Sequence, residues 1–290
     1  MRPVGDMKVG VAIIGLFLLG AAPVGAQAGR CSPGVEQEWQ RLRVTRFIPP
    51  DKSRAQMEQV LLGEARRQAV QQAVGITVST STTRSQYEAM ANGESREYRD
   101  NFFELYSQDA AGLIVEEKHT TTSRGADSLS IAYEARVGCE SGSEAAGFTA
   151  SVSTNQDTYR EKDYITIRVE VSDSARVYLF SIAQDGVARL IFPNRVDLNN
   201  AFGAGDARFV PRTGAPYSFT AELDSRFGPS QSEMLMGIFY RGRGPELFRS
   251  ADAFQKEFTL EEINRVLLRV PRSERSRVLA GYEIRSRADR

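Results

Sequence analysis

Between residues 164 and 171, Ile165, Ile167, Val169 and Val171 alternate with Thr166, Arg168 and Glu170. A period of two is the mark of a strand with one buried face. Two apolar runs follow, at 177–182 and 187–192, on either side of Gln184-Asp185-Gly186. Asp-Gly between such runs predicts a hairpin, because glycine readily takes positive φ. Pro193-Asn194 breaks the second run, and further strands are predicted at 208–210, 217–223 and 233–240. Short strands at this spacing predict an all-β, immunoglobulin-like sandwich over residues 151–258.

The preceding residues, 29–138, mix periods. A strand at 43–48 is stopped by Pro49-Pro50. Ser53 is placed to cap a helix in which Met57, Val60, Leu61, Ala65, Ala69 and Ala73 recur at three- and four-residue steps until Gly75. Its alanine stripe predicts close packing against a sheet. Residues 76–83 have strand composition, and residues 94–108 read as a second helix with Tyr98, Phe102, Leu105 and Tyr106 on one side. Strands from Gly112 and from Ser128 are joined by a turn at Arg124-Gly125-Ala126-Asp127. The expected fold is therefore a two-layer α+β N-terminal domain followed by the immunoglobulin-like sandwich. A Gly-, Ser- and Glu-rich stretch at 139–150 reads as the linker. After residue 258 a short helix is predicted up to Pro271. An Arg-rich, solvated tail is expected beyond it.

Ahead of both domains, Arg2 and Lys8 precede an apolar run at 9–22 and a small-residue site at Ala26-Gln27-Ala28. That order predicts a secretory signal over residues 1–28, cleaved after Ala28. The run spans about 21 Å at 1.5 Å per residue, short of the roughly 30 Å hydrocarbon core. Arg30, just before Cys31, argues against a lipoprotein site. No transmembrane span is expected after cleavage, and the location expected is periplasmic or secreted. The charges balance at 37 basic and 37 acidic residues, so no net field recruits nucleic acid. Cys31 and Cys139 are the two cysteines, and an even count in an exported chain predicts one structural disulfide. Closing a loop of about 108 residues stabilises by about 4.7 kcal/mol in the chain-entropy model.

No catalytic, cofactor-binding or metal site is expected. His119 is the single histidine and lies in a strand pattern without a nucleophile signature. Glu116 and Glu117 are strand neighbours and point to opposite faces. Gly203, Gly205 and Asp206 lack the Lys-Ser/Thr of a phosphate loop. Asp197, Asn199, Asn200 and Asp206 lack the spacing of a calcium loop and read as turn residues. Arg241-Gly242-Arg243-Gly244 reads as a turn rather than an RNA contact.

Residues 159–194, with Asn199-Asn200, residues 209–214 and residues 227–238, resemble the bacterial domain-of-unknown-function family 4384. Lys162 stands where that family usually carries glycine before Asp163. The resemblance implies an accessory module attached to peptidase-like, kinase or envelope domains, with no catalytic residues to carry over. The Ala-rich helix at 64–75 and the strand from Gly112 resemble the N-terminal domain of flagellar assembly protein T and related envelope lipoproteins. These features imply a non-catalytic binding or scaffolding protein of the bacterial cell envelope, acting through contacts with an envelope protein partner. The alternative is an envelope hydrolase using carboxylates.

Overall fold

The computed structural model describes residues 38–50, 54–74, 112–123, 127–142, 147–183 and 186–287. The signal at 1–28, Cys31, Ser53, the strand at 76–83, the helix at 94–108, Arg124-Gly125-Ala126 and Gln184-Asp185 lie outside the described residues. The described chain is mostly β-sheet, with two α-helices.

Strands β1 (Gln40–Phe47), β2 (Gly112–Ser123) and β3 (Ser128–Cys139) form an antiparallel sheet in the order β1-β3-β2. Leu42 and Val44 share one face with Leu129, Ile131, Tyr133 and Ala135, and helix α1 (Arg54–Val74) covers it with Met57, Leu61, Ala65 and Ala69. Ala65 and Ala69 are fully buried; a side chain of one carbon lets the helix axis approach the sheet, as the alanine stripe predicts. A bulge in β2 between Ile114 and Glu116 resets its alternation. Glu116 then pairs with Arg136, while Glu117 turns toward Arg66 of α1.

Strands β4 (Ala150–Thr154), β7 (Ile167–Val171) and β11 (Ala207–Val210) make a second antiparallel sheet in the order β11-β7-β4. The largest sheet has the order β14-β9-β8-β13-β15-β5. Its strands are β5 (Thr158–Arg160), β8 (Ala175–Ile182), β9 (Ala188–Phe192), β13 (Ser230–Tyr240), β14 (Glu257–Phe258) and β15 (Arg275–Arg285). A short strand β10 (Ala201–Phe202) also pairs with β8. Between β8 and β9, Gly186 takes φ 84°, its N–H bonds the Ala183 carbonyl, and Ala183 N–H bonds the Val187 carbonyl. The predicted hairpin is there, and its glycine holds the left-handed position.

Strands β8 and β13 are apolar on both faces because both faces are covered. Val177, Leu179, Leu235 and Phe239 point at Ile167, Val169 and Val171 of the second sheet. Tyr178, Phe180, Ile182, Met234, Met236 and Ile238 point the other way, toward Phe248, Phe258 and helix α2 (Leu260–Leu267). The rings of Phe180, Phe248 and Phe258 meet edge-on at centroid separations of 5.0–5.9 Å. Helix α2 starts where expected, with Thr259 and Glu262 forming a reciprocal capping box.

The predicted Arg-rich tail is corrected. Residues 275–285 form β15, which pairs along its length with β13 and, in parallel, with β5. Val278, Ala280, Tyr282 and Ile284 alternate into the core shared by the two larger sheets. The arginines that suggested solvent have partners: Arg275 is buried against Glu140, and Arg285 pairs with Glu283. The strand predicted at 217–223 shrinks to β12 (Phe219–Thr220), which pairs with β6 (Tyr164–Ile165).

Helix α2 also meets the first sheet. Leu113 of β2 joins its apolar cluster, and Asn264 Nδ2 donates to the Ile114 carbonyl at 2.8 Å. The residues expected to form a linker are held at both ends. Arg272 N–H bonds the Ser141 carbonyl, Phe148 is buried, and Thr149 N–H bonds Ser172 Oγ at 2.8 Å.

Candidate binding groove

Strands β6 and β7 are one continuous line of chain, and both β11 and β12 pair with the same side of it. The Asp163 carbonyl accepts from Ala221 N–H beside β12. Eight residues further on, Val171 bonds Gly205 and Asp206 just before β11. Odd-numbered residues of β6–β7 therefore point their backbone groups at β11 and β12. The chain between those strands, residues 211–218, leaves the sheet as a loop, beginning at the cis Val210–Pro211 bond. The large sheet repeats the device: β9 and β10 pair with one side of β8, and residues 193–200 leave between them after the cis Phe192–Pro193 bond.

The two loops meet. Arg212 Nε lies 3.9 Å from Asp197 Oδ2, and Tyr217 sits beside Asn194 and Asp197. Asn194 shapes its own loop by accepting from Val196 N–H (3.0 Å) and Asp197 N–H (2.8 Å). Burial pushes the Tyr217 phenol up from its ordinary value, so the ring is neutral at physiological pH. Its hydroxyl is buried and closes no hydrogen bond.

Under loop 211–218 lies a hollow of about 430 Å³, lined in part by Tyr164, Thr166, Phe209, Pro211, Arg212 and Tyr217, and by no Asp or Glu. Tyr164 and Thr166 lie on the outward face of β6–β7. Phe209 is paired with Arg168 and shares that face. From 164 to 168 the strand runs about 13 Å at 3.3 Å per residue, so the two rings stand well apart. Tyr164 (69% exposed), Val196 (55%), Leu198 (63%) and Phe209 (55%) are four of the six large apolar side chains exposed among the described residues. Their concentration around the two loops is unlike the scattered single exposures of an inert surface.

Phe209 also presents its backbone. The Val171–Asp206 bond sets the alternation along the β7–β11 pair, so Arg208 and Val210 bond to β7 while Ala207 and Phe209 point their N–H and C=O outward. Asp206 fixes the approach to this strand by accepting from Gly203 N–H at 2.6 Å, with Arg208 as its ion-pair partner. That backbone N–H and the arginine hold its carboxyl below the ordinary value.

The residues weighed for chemistry do not converge. His119 is exposed on β2. Asp197, Asn199, Asn200 and Asp206 each serve local structure: Asn199 accepts from Ala201 N–H, and Asn200 bridges Arg176 and the Val177 carbonyl. Gly203 and Gly205 form the turn into β11, with Gly205 at φ 75°. Residues 241–244 form the turn after β13. Cys139 ends β3, buried and not a free thiol. Tyr164, Val196, Leu198, Phe209, Arg212 and Tyr217 were not singled out from sequence. The legible signal was Tyr164 on the polar face of an alternating strand, and Phe209 directly beside the buried Val210.

No curated protein matches the chain. The stretch at residues 158–232, which includes all the residues lining the hollow, matches the family model described as Domain of unknown function (DUF4384), and it is to that family that this part of the chain is similar.

Proposed function

We propose that this chain is a non-catalytic binding or scaffolding protein of the bacterial cell envelope, and that it captures a protein partner at the hollow beneath loop 211–218. The observation that carries the reading is the exposure of Tyr164 and Phe209 in the lining of one solvent-open hollow of about 430 Å³, with Val196 and Leu198 exposed on the loop that Arg212 ties to it through Asp197. Apolar side chains exposed together are paid for by what covers them. The absence of a carboxylate from the lining gives the hydrolase alternative nothing to work with there.

The export reading rests on the basic, apolar and A-x-A order of residues 1–28. It brings with it a periplasmic or secreted location and a disulfide between Cys31 and Cys139. The burial of Cys139 supports that pairing. The finer fold reading also belongs here: an α+β two-layer unit followed by an immunoglobulin-like sandwich, supported by α1 on its three-stranded sheet and by the two larger sheets meeting across one core. The likeness of the first unit to the N-terminal domain of flagellar assembly protein T rests on residues 64–75 and the strand from Gly112.

The test is crosslinking in the native envelope followed by mass spectrometry, with alanine substitutions through residues 193–200 and 211–218 and at Tyr164 and Phe209. The expected result is one reproducible envelope protein whose capture falls several-fold in the substituted chains, while far-UV circular dichroism stays unchanged. Capture that is constant across the whole scan overturns the reading.

A further inference from the structure

Three features of the hollow bear on what occupies it. The first is the open edge of β11. Among the described residues, Phe209 N–H and C=O and Ala207 N–H and C=O have no partner, so β11 has an unfilled ladder position, and its Phe209 also lines the hollow. The second is the side-chain pattern. Phe209 and Tyr164 are exposed on one face, and the hollow beside the edge strand accepts a side chain. The third is charge. Arg212 is 74% exposed, approaches Asp197 only at 3.9 Å, and lines a hollow that has no acidic side chain in its lining.

Together these fit one mode of recognition. We propose that β11 is a strand-addition edge: the partner presents an extended segment whose backbone bonds Phe209 and Ala207. One of its apolar side chains enters the hollow under loop 211–218, and a carboxylate pairs with Arg212. Main-chain bonding to a free edge supplies affinity without regard to sequence, and the pocket beside it supplies selectivity for alternate side chains. This inference rests on the protein-docking reading above and names the conformation and chemistry of the docked segment. A polyproline segment would use the aromatic rings but leave the edge amides unpaired. A second copy of this chain would use the same edge symmetrically.

The experiment titrates the full chain with an array of labelled heptapeptides, followed by fluorescence anisotropy. Each peptide alternates Val, Ile or Phe with Thr and carries Asp at one end. Each is also made with its central backbone amides N-methylated, as an amide analogue of the Asp, and alongside a proline-rich control. The expected result is saturable binding of alternating peptides, weakened at least tenfold by N-methylation. Replacing the peptide's Asp and substituting Arg212→Gln should each weaken binding several-fold, and the two losses together should be no larger than either alone. Phe209→Pro removes the outward N–H and should abolish binding. If that variant does not fold, the N-methylated peptides give the same answer on the unaltered protein.

Equal binding of native and N-methylated peptides, no binding by any alternating peptide, or tighter binding of the proline-rich control overturns strand addition. So does a dimer in sedimentation that the peptides fail to dissociate. The two readings fail separately. If envelope crosslinks depend on the hollow but no alternating peptide binds, strand addition falls and docking stands. If crosslinks ignore the hollow, docking itself falls.

Discussion

Lys162 holds φ at 70° in the turn between β5 and β6, and its N–H donates to the Ala221 carbonyl at 2.7 Å. A side chain with a Cβ pays about 1–2 kcal/mol to stand in the left-handed region, while glycine there costs about 0.5–1 kcal/mol through the freedom it gains when unfolded. The lysine is therefore the more strained of the two residues at this φ. Lys162→Gly should raise stability by about 0.5–1 kcal/mol, read as a higher urea midpoint with unchanged slope. Two buried glutamates give a pH test of opposite signs. At Glu233, burial outweighs the bonds from Tyr282 Oη (2.7 Å) and Gln231 Nε2 (3.0 Å), and its carboxyl is raised above the ordinary 4.5. At Glu117, burial also pushes upward, but Arg66 and the Tyr133 hydroxyl (2.6 Å) outweigh it, and its carboxyl is lowered. A raised carboxyl contributes stability below its unfolded value and loses it as pH rises through its folded value. A lowered one contributes above its unfolded value and loses that as pH falls. Glu233→Gln should therefore be more stable than the parent at pH 7.5, and Glu117→Gln less stable. The Glu233 difference should shrink as pH falls toward 4.5, and the Glu117 difference as pH falls below it. Urea midpoints at pH 7.5 and pH 4 check both signs.

At the scale of elements, β15 decides whether the large sheet exists. It fills the position between β13 and β5 and sends Ala280, Tyr282 and Ile284 into the shared core. A chain ending at residue 274 leaves β13 as an unpaired edge with Leu235 and Phe239 uncovered. That chain should lose cooperative unfolding and bind a hydrophobic dye, whereas the full chain should not; a sharp thermal transition in the shortened chain would refute the role given to β15. The same strand shows what was legible in the sequence. Strands β7, β8 and β9 could be read because their alternation or turn residues are local. In β15 the alternation Val278, Ala280, Tyr282, Ile284 is equally regular, but one member is small and the flanking arginines, Arg275, Arg277 and Arg285, suggested solvent. The partners that allow those arginines, Glu140 and Glu283, are distant in sequence or recognisable only once the sheet is built. The groove was hidden for a related reason. Single exposed residues such as Val196 and Leu198 carry no signal individually, and they become a surface only when two loops leave two sheets on the same side. The short β12 shows the converse, since the run at 217–223 has strand composition but the loop uses up its first two residues.

At the scale of the whole molecule, the first sheet and the C-terminal strand are joined through a buried ion pair. Glu140 follows β3, and Arg275 opens β15. Their side chains are each 5% exposed, and Arg272 Nε lies 3.8 Å from the same carboxylate. Arg275 Nε also donates to the carbonyls of Leu267 (3.1 Å) and Val270 (3.0 Å), which satisfies acceptors at the end of α2. One guanidinium thus ties together β3, α2 and β15, beside the Leu113 and Asn264 contacts of the same junction. Removing one member of a buried pair leaves the other charged and uncompensated, at a cost of about 3–5 kcal/mol. Glu140→Gln should therefore lower stability by about that amount. Because the junction couples the two parts, calorimetry of the parent chain should show one endotherm. In Glu140→Gln the endotherm should move down by several degrees and broaden or divide, as α1 with its sheet begins to unfold independently of the rest. Two separate endotherms in the parent chain, or a Glu140→Gln midpoint within a degree of it, would mean that the junction does not couple them. A partner docked at the hollow would then stabilise only the part of the chain that carries β11, and the first sheet would melt independently of whether the hollow is filled.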